Sequence, residues 1–443
     1  MTGSFPPGPT ARFPGELLWR TRRDTLQFLI RMAGEYGDTS GIRIGRERLV
    51  LVNHPDAIRD VLVTNQQNFL KGKALERARI VLGNGLLTSE GDDHLRQRRL
   101  VQPAFHRERI ATYAATMVEQ AATVRDRWRD GEAFDAHAAM MALTLAVVGK
   151  TLFSADVEGE ARAIGEALTT VLGAFNRMML PWSPLLFALP LPSSLRFHRA
   201  RRRLDATIYR LITERRASGT DAGDLLSMLL LATDTEGDGR GMTDLQLRDE
   251  AMTLFLAGHE TTANALAWAW YLLARNTDVE QKVQAEVDAL GHEPTFDDLP
   301  RLACTRRVVA ETIRLYPPAY AIGRRAIDAC SIGEFELPAR SLVVVSPYIV
   351  QRDHRWWPDP ERFDPERWLP EAAARRGKFT YFPFGAGTRI CIGEQFAWTE
   401  AVLVLATIAQ RWRLWVAPKQ RIAIHPQITL RPRYGIRMIA TRR

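Results

Sequence analysis

Cysteine is rare in this 443-residue chain, and one of its three cysteines lies in a glycine-rich stretch. The residues from Phe384 to Gly393 read FGAGTRICIG, with Arg389 two positions before Cys391. Glycines permit tight turns and let the backbone approach a flat ligand closely. A thiolate just ahead of a helix N-terminus is stabilised by the N–H groups there, and an arginine offers a planar fork to a carboxylate. Together these features predict the axial thiolate site of a haem.

The alternative interpretation of Cys391 is a buried structural residue, because free cysteine is among the most buried residue types. The cysteines at 304, 330 and 391 have neither the number nor the spacing of a disulfide framework or a metal cluster. We therefore expect a reducing compartment.

A second pair of chemically useful residues, Glu260 and Thr261, lies within an apolar helical pattern in the sequence AGHETT. Thr243 and Gln246 form a capping-box start to this helix, which is expected to continue to about Arg275. Its second half is apolar on every face, which is typical of a buried central helix. An acid and an alcohol are costly to bury, and threonine competes for backbone hydrogen bonds. We expect a local opening there, although an ordinary hydrogen-bonded pair is the alternative.

The elements around these residues give a coarse fold. Short β-branched runs at Gly41–Ile44 and Leu49–Val52 predict a hairpin, followed by a helix starting near Pro55. Helical patterns dominate from residue 93 to about 290, and strand patterns return after residue 318, including 341–350. The sequence predicts a mainly α chain with small β-sheets (α+β), forming a single domain over residues 1–443.

Charge and composition exclude several classes of function. The chain has 60 basic and 51 acidic residues, a net charge of +9, without an aromatic and basic surface pattern for nucleic acid. We expect no nucleic-acid partner, and an acidic protein partner is more compatible with the net charge.

The N-terminal sequence lacks the apolar core of a signal peptide. The uncharged stretch at 178–195 contains four prolines, so we expect an apolar loop, no membrane span and a cytoplasmic location.

These residues resemble the cytochrome P-450 haem-thiolate monooxygenases of the soluble bacterial type. The stretch FGAGTRICIG matches the family pattern F-x-x-G-x-R-x-C-x-G at every fixed position. AGHETT is similar to the family's central-helix pattern A/G-G-x-D/E-T-T/S, and HLRQR to H-x-x-x-R. The resemblance extends from about Phe5 to the C-terminus and implies a cytochrome P-450-like fold with a long central helix over the haem.

The family's E-x-x-R pattern is matched by Glu311 and Arg314, which would otherwise be interpreted as a surface ion pair. The resemblance implies a buried structural role for the pair, with Arg362 of the sequence PERF joining it.

The resemblance also implies the cofactor, haem b (iron protoporphyrin IX), and the roles of individual residues. Cys391 is expected to ligate the iron, while Thr261 and Glu260 are expected to be catalytic through proton delivery. Arg324 is expected to bind a propionate, with Arg325 as the competing choice. The expected cofactor-binding residues are Cys391, Arg389, His94, Arg98, Arg324, Phe384, Gly393, Ala257 and Gly258.

A substrate pocket can be expected only by resemblance, since each residue in it fits an ordinary core equally well. The residues are mainly apolar, which favours a terpenoid, fatty acid or steroid-like substrate. The residues of these motifs are closer to those of bacterial members that resemble fatty-acid and terpene hydroxylases. A terpenoid substrate is therefore favoured. The expected pocket residues are Ile80, Leu86, Leu87, Phe175, Leu254, Ala319, Tyr320 and Ile322.

Two other functions stay open: a haem-thiolate peroxygenase or isomerase, and a non-catalytic haem-binding protein. The intact pair Glu260 and Thr261 favours oxygen activation with O2.

The sequence contains no glycine-rich dinucleotide loop after a strand and no iron–sulfur cysteine cluster, so no fused reductase is expected. Electrons are expected from a separate ferredoxin or flavodoxin with an NAD(P)H reductase. Arg96, Arg99 and Lys378 are candidates for the docking surface.

Overall fold

The computed structural model of the protein describes residues 4–154, 158–180, 182–237 and 239–443. Contacts divide the chain into two compact units. The first consists of Met1–Glu76, Ala310–Cys391 and Thr429–Arg431, and the second of Arg77–Val309, Ile392–Ile428 and Pro432–Arg443.

The helices and strands confirm a mainly α chain with small sheets. The helices are α1 (Glu16–Arg23), α2 (Thr25–Tyr36), α3 (Pro55–Arg59), α4 (Lys73–Leu82), α5 (Gly91–Val101), α6 (Arg107–Arg127), α7 (Ala136–Phe153), α8 (Glu158–Gly173), α9 (Phe175–Met178), α10 (Ser183–Ala188), α11 (Pro192–Ser218), α12 (Leu225–Leu231), α13 (Asp244–Leu273), α14 (Thr277–Asp288), α15 (Ala303–Leu315), α16 (Pro347–Val350), α17 (Pro370–Ala374) and α18 (Glu394–Ala409). The strands are β1 (Thr39–Ile44), β2 (Glu47–Val52), β3 (Phe69–Lys71), β4 (Ala133–Asp135), β5 (Ile322–Ala326), β6 (Cys330–Ile332), β7 (Phe335–Leu337), β8 (Leu342–Val345), β9 (Trp412–Val416), β10 (Ile424–Pro426), β11 (Leu430–Pro432) and β12 (Arg437–Arg442).

The first unit is built on a five-stranded sheet with the order β1-β2-β8-β5-β3. β1 and β2 form the predicted antiparallel hairpin, whose turn contains Gly45 with a φ of +61°. β2 pairs in parallel with β8, and β5 is antiparallel to both of its neighbours. Alternate apolar side chains of these strands form a buried core, which fixes the strand register.

Glu311 and Arg314 form a fully buried ion pair in the first unit, as the family resemblance implies. Arg314 also donates to the carbonyl oxygens of Gln351 and Pro360, both at 2.7 Å, and to that of Arg362 at 3.1 Å. Because an unpaired buried charge is costly, these backbone acceptors are as necessary as the carboxylate itself. The pair therefore holds the loop around residue 360 against α15.

The prediction that the side chain of Arg362 joins this pair is wrong. That side chain is exposed, and only the backbone carbonyl of Arg362 takes part. The third charged group is Arg367, whose Nε lies 3.5 Å from Glu311 Oε1, and Trp368 Nε1 donates to Glu311 Oε2 at 3.0 Å. The sequence contains a second Pro-Glu-Arg at 365–367, and the turn at Pro365–Trp368 aims that arginine inward.

The second unit is organised around α13, whose start at Thr243 has the predicted capping box. Most of its side chains are buried, and it packs on α7, α11 and α18. α7 is long and apolar enough to cross a membrane by length and composition, and among the described residues it alone passes that test. However, 61% of α7 is buried inside the second unit, as in the core helix of a globular protein.

The proline-rich stretch at 178–195, expected to be a loop, contains helical segments. α10 occupies Ser183–Ala188, and α11 begins at Pro192. Proline is tolerated in the first turn of a helix because the N–H that it lacks has no partner there. Pro192 therefore starts a helix that the sequence interpretation began further along the chain.

Glu400 lies on α18 and is fully buried in the second unit. Burial raises the pKa of Glu400 to about 8, and the Thr262 hydroxyl, which favours the ionised form, offsets only part of the rise. Between the ordinary pKa of 4.5 and 8 the folded state thus keeps a proton that the unfolded state loses. By linkage, this carboxyl stabilises the fold fully at low pH and progressively less as the pH rises.

We predict that Glu400→Gln flattens the pH dependence of stability. In the wild type, Glu400 should lower the free energy of unfolding by up to about 1.4 kcal/mol per pH unit between pH 5 and 8. Glutamine cannot ionise, so the variant should gain stability relative to the wild type as the pH rises. Urea unfolding at several pH values measures this difference. Glu119→Gln, an exposed position on α6, is the matched control, and parallel curves for wild type and Glu400→Gln would contradict the prediction.

Candidate active site

The Cys391 loop in the first unit is closed by its own backbone. The N–H of Cys391 donates to the carbonyl oxygen of Phe384 at 2.9 Å. Gly385 and Gly387 have φ values of +75° and +71°, which glycine adopts without strain. Gly393 has a φ of −87° and is the N-cap of α18, so its backbone angle does not require glycine.

Two contacts with the β3 region hold this loop in place. The side-chain oxygen of Gln66 accepts from the N–H of Thr388 at 2.8 Å and from its hydroxyl at 3.0 Å. Arg389 donates to the carbonyl oxygen of Phe69 at 2.6 Å. A side chain at Gly387 would overlap the carbonyl oxygen of Leu62 and the amide of Gln66. Gln66 was not predicted from the sequence, because it lies 322 positions from Thr388 along the chain.

The three cysteines differ in their suitability as a thiolate ligand. Burial raises the pKa of Cys304 and of Cys330, which disfavours their thiolates. Cys391 is exposed. Among the described residues, no three His, Cys, Asp or Glu side chains come together to bind a metal ion. These observations fit Cys391 as a single sulfur ligand to a metal that a cofactor supplies.

Arg324 and Arg325 lie on opposite faces of β5, because successive side chains of a strand alternate. Arg324 is 7% exposed and donates to the carbonyl oxygen of Gly323 at 3.1 Å. Arg325 forms an ion pair with Glu76. This pairing favours Arg324 as the propionate-binding residue.

The expected pocket residues of the first unit lie close together along the chain. Ala319 and Ile322 are half-buried, and Tyr320 is buried. Burial raises the pKa of Tyr320 to about 12, so its side chain is a neutral phenol at physiological pH. The hydroxyl of Ser346 donates to the carbonyl oxygen of Tyr320 at 2.7 Å and fixes this segment.

Within α13, three small residues are accessible although their helix is otherwise mostly buried. Ala257 is exposed, and Gly258 and Thr261 are partly exposed. Positions i, i+1 and i+4 share one side of a helix, so these residues form a shallow, small-residue surface. A Cβ at position 258 would lie 3.1 Å from a methyl group of Val148, so glycine also serves the packing of α7. Such a surface fits a flat ligand.

Threonine hydroxyls bind three successive carbonyl oxygens in the middle of α13. Thr261 donates to Ala257 at 2.8 Å, and Thr262 to Gly258 at 3.5 Å. Thr144 of α7 donates to His259 at 2.9 Å. Hydroxyls in these positions compete with the helix's own N–H groups, which is the physical basis of the expected local opening. The helix nevertheless continues without interruption through this region.

The remaining predicted residues of the second unit lie on separate helices and loops. His94 is buried on α5, and Arg98 follows one turn later and is half-buried. Glu260 is 2% exposed. The expected pocket residues of this unit are the half-buried Ile80 on α4 and Phe175 on α9, the buried Leu86 and Leu254, and Leu87, which is 39% exposed.

An apolar cavity of about 20 Å³ lies elsewhere in the second unit and contains none of the expected pocket residues. Phe153, Leu204, Met252 and Phe255 are among the residues that line it. This volume accommodates about one water molecule, so the cavity is too small for a terpenoid.

Arg96 and Arg99, expected on a docking surface, both contact Asp234. Arg99 binds both carboxylate oxygens of Asp234, at 3.1 and 2.9 Å. Arg96 lies 3.6 Å from the same carboxylate and donates to the carbonyl oxygens of Arg240 and Gly241. Both arginines therefore order the turn before α13. Lys378 is exposed.

Comparison with known proteins gives a consistent assignment. The sequence profile of the family described as cytochrome P-450 matches residues 6–437. Cyclooctatin synthase of Streptomyces melanosporofaciens is 43% identical over 92% of this chain and 89% of its own length. Cyclooctat-9-en-7-ol 5-monooxygenase of the same organism is 40% identical over 90% of this chain and 87% of its own. Pentalenene oxygenase of Streptomyces avermitilis is 39% identical over 90% of this chain and 89% of its own length.

Solved structures show the same relationship. The cytochrome P-450DA heme domain superposes with a TM-score of 0.89 at 25% identity, covering 100% of this chain and 98% of its own. A retinoic acid-bound cyanobacterial relative superposes with a TM-score of 0.90 at 25% identity and covers 100% of both chains. The profile, the relatives and the fold agree, and this chain belongs to the cytochrome P-450 family.

Proposed function

We propose that this protein is a haem-thiolate monooxygenase that hydroxylates a C–H bond of a terpenoid in secondary metabolism. Relatives at 40% and 39% identity are named as a monooxygenase and an oxygenase of terpenoid compounds. The observation that carries the haem-thiolate assignment is the exposed Cys391 in a loop closed by glycine turns.

Membership of the family implies haem b as the cofactor. When bound, the haem activates O2 with two external electrons, and a thiolate ligand favours cleavage of the O–O bond. Cys391 is proposed to supply that thiolate, with Phe384 and Gly393 in the same motif. Ala257 and Gly258 would give the macrocycle an unobstructed surface. The proposed propionate partners are His94, Arg98, Arg324 and Arg389.

Proton delivery is proposed for Thr261 and Glu260. The Thr261 hydroxyl lies on the accessible side of α13, and while it donates to the carbonyl oxygen of Ala257 it can accept a hydrogen bond from a water molecule. The adjacent carboxyl of Glu260 can pass protons to that water and recover them from solvent. This pair favours O2-dependent chemistry over a peroxygenase or an isomerase.

A terpenoid substrate is supported by the chemistry of the proposed pocket as well as by the relatives. Apolar side chains predominate, so binding would come from burial of hydrocarbon surface. The tyrosine at position 320 is the polar exception, and its neutral hydroxyl can hydrogen-bond an alcohol already present on the substrate.

Electrons are proposed to come from a separate ferredoxin or flavodoxin with an NAD(P)H reductase, and the location is proposed to be cytoplasmic. Lys378 remains the candidate basic contact, because Arg96 and Arg99 are bound to Asp234. An acidic partner suits the net charge of +9.

We predict that Cys391→His abolishes the thiolate signature of the reduced carbon-monoxide complex, together with monooxygenase activity. Histidine is a neutral nitrogen ligand and lacks the electron donation of a thiolate. Cys330→Ser is the matched control and should retain both properties. An unchanged carbon-monoxide spectrum in Cys391→His would show that this residue is not the ligand.

We predict that Thr261→Ala binds haem and substrate normally but uses NAD(P)H wastefully. Without the hydroxyl, proton delivery is no longer directed by this side chain. The amount of product per NAD(P)H consumed should therefore fall by about ten-fold, and the amount of hydrogen peroxide formed should rise. Substrate oxidation, NAD(P)H consumption and peroxide are measured together. Thr262→Ala, at the buried neighbouring position, is the control. Equal product per NAD(P)H in wild type and Thr261→Ala would remove Thr261 from the relay.

The proposed reaction is tested with purified protein, ferredoxin, ferredoxin reductase, NAD(P)H, ¹⁸O2 and a panel of terpene hydrocarbons and terpene alcohols. We expect a product that carries one ¹⁸O atom. Turnover with NAD(P)H alone would contradict the need for a partner. Turnover with hydrogen peroxide alone, at a rate matching the complete system, would support the peroxygenase alternative.

Electrostatic docking predicts that the rate of first electron transfer from ferredoxin falls as ionic strength rises. Salt shortens the screening length from about 10 Å at 0.1 M to about 3 Å at 1 M. Lys378→Glu should slow the transfer further at low salt. Dithionite, a small chemical reductant, serves as the control donor, since it needs no docking surface. A rate independent of salt would contradict electrostatic docking.

A further inference from the structure

The loop between α4 and α5, residues Gly83–Ser89, is bound to α13 by two adjacent carboxylates. Asp249 Oδ2 accepts from the N–H of Asn84 at 2.7 Å. Glu250 Oε2 accepts from the N–H of Leu86 at 2.9 Å. Hydrogen bonds to a carboxylate are stronger than those between neutral groups, and both acceptors are buried. We call this arrangement of Asp249, Glu250 and the loop the carboxylate clamp.

Steric fit reinforces the clamp. Gly83 has a φ of +60°, and a side chain there would overlap the carboxylate of Asp249. A side chain at Gly85 would overlap the hydroxyl of Thr253 and come within 2.5 Å of the carbonyl oxygen of Asp249. The loop backbone therefore lies directly against α13, and only glycine permits that approach at either position.

Arg248 partly offsets the negative charge of the clamp, and the loop is closed internally. Arg248, 4% exposed, donates to Asp249 Oδ1 at 2.8 Å and to Asp205 of α11 at 2.8 Å. The hydroxyl of Thr88 donates to the carbonyl oxygen of Gly83 at 2.8 Å, which closes the loop on itself. These bonds leave the loop little freedom independent of α13.

The position of Glu250 along α13 links the clamp to the proposed site. Glu250, Leu254, Ala257 and Thr261 are spaced i, i+4, i+7 and i+11, which places them along one side of a helix. Leu254 and Leu86 are both proposed pocket residues, and Leu86 is the residue whose N–H Glu250 binds. The clamp thus holds one pocket residue at a fixed height along the helix side that presents Thr261.

We propose that Asp249 and Glu250 are positioning residues that determine substrate specificity by fixing Leu86 and Leu87 relative to α13. This inference rests on the proposed function, because that function defines the pocket. Neither carboxylate takes part in the chemistry. A loosened loop would admit larger ligands and would allow a substrate to present more than one C–H bond.

The test compares Glu250→Met, which removes the acceptor at similar volume, with Glu250→Gln, whose amide oxygen can still accept. Hydrogen exchange at the Leu86 amide should accelerate by about ten-fold or more in the methionine variant, because a buried hydrogen bond is lost. The glutamine variant should stay near the wild-type rate. Glu286→Met is the matched control, since Glu286 of α14 likewise accepts from the backbone N–H groups of Cys304 and Thr305.

Ligand discrimination is measured in the same holoproteins with 4-phenylimidazole and the bulkier clotrimazole, through their shifts of the haem absorption band. The ratio of the two dissociation constants should change by about five-fold or more in favour of clotrimazole in Glu250→Met, and not in the control. Gly85→Ala, which displaces the loop without touching the carboxylates, should give the same change and serves if Glu250→Met does not fold.

Unchanged exchange at Leu86, or faster exchange with an unchanged azole ratio, would overturn the proposal. Neither readout requires turnover. If the wild type oxidises no terpenoid, the proposed function fails, while the exchange and azole measurements still decide whether the clamp controls access.

Discussion

A helix buried on nearly all sides must still present chemically useful groups, and this constraint governs the second unit. α13 runs for 30 residues, and its apolar second half packs against neighbouring helices. One side stays different, from the carboxylate of Glu250 to the accessible Ala257, Gly258 and Thr261. Small side chains and local hydroxyl bonds make this possible, because the backbone stays approachable while the hydroxyls of Thr261 and Thr262 donate to carbonyl oxygens of the helix. The proposed oxygen chemistry depends on that one side.

The first unit has a different structural requirement, which is that a single thiol must stay accessible. A buried cysteine has its pKa raised, as Cys304 shows, and would be a poor thiolate. The loop around Cys391 instead uses two left-handed glycines to turn the chain sharply and keep the sulfur exposed. Gln66 and the carbonyl oxygen of Phe69 anchor the loop to the sheet region. Rigid anchoring matters because a ligand atom held loosely would bind its metal weakly.

Arginines in this protein are divided between structure and function by their burial and partners. Arg314 is fully buried and has four backbone or carboxylate acceptors around it, so its role is to hold the fold. Arg96 and Arg99 order a turn through Asp234. Arg325 forms an ion pair with Glu76, which leaves the buried Arg324 as the better candidate for a cofactor carboxylate. An excess of basic residues therefore does not by itself identify a docking surface, because several of the guanidinium groups form structural contacts.

The sequence by itself determined the family, the mainly α fold, the central helix with its capping box, and Cys391 as the ligand candidate. Those features are local, since each depends on residue types within about ten positions or on a helical period. Only the tertiary structure decided that Arg367 and not Arg362 joins Glu311, that Gln66 anchors the cysteine loop, and that Asp249 and Glu250 bind the loop at Gly83–Ser89. The contacts of Gln66, Asp249 and Glu250 join residues 164 to 322 positions apart, whereas two Pro-Glu-Arg sequences compete for Glu311. Local pattern carries no information about which distant backbone N–H a carboxylate will meet, because packing of whole elements sets that distance.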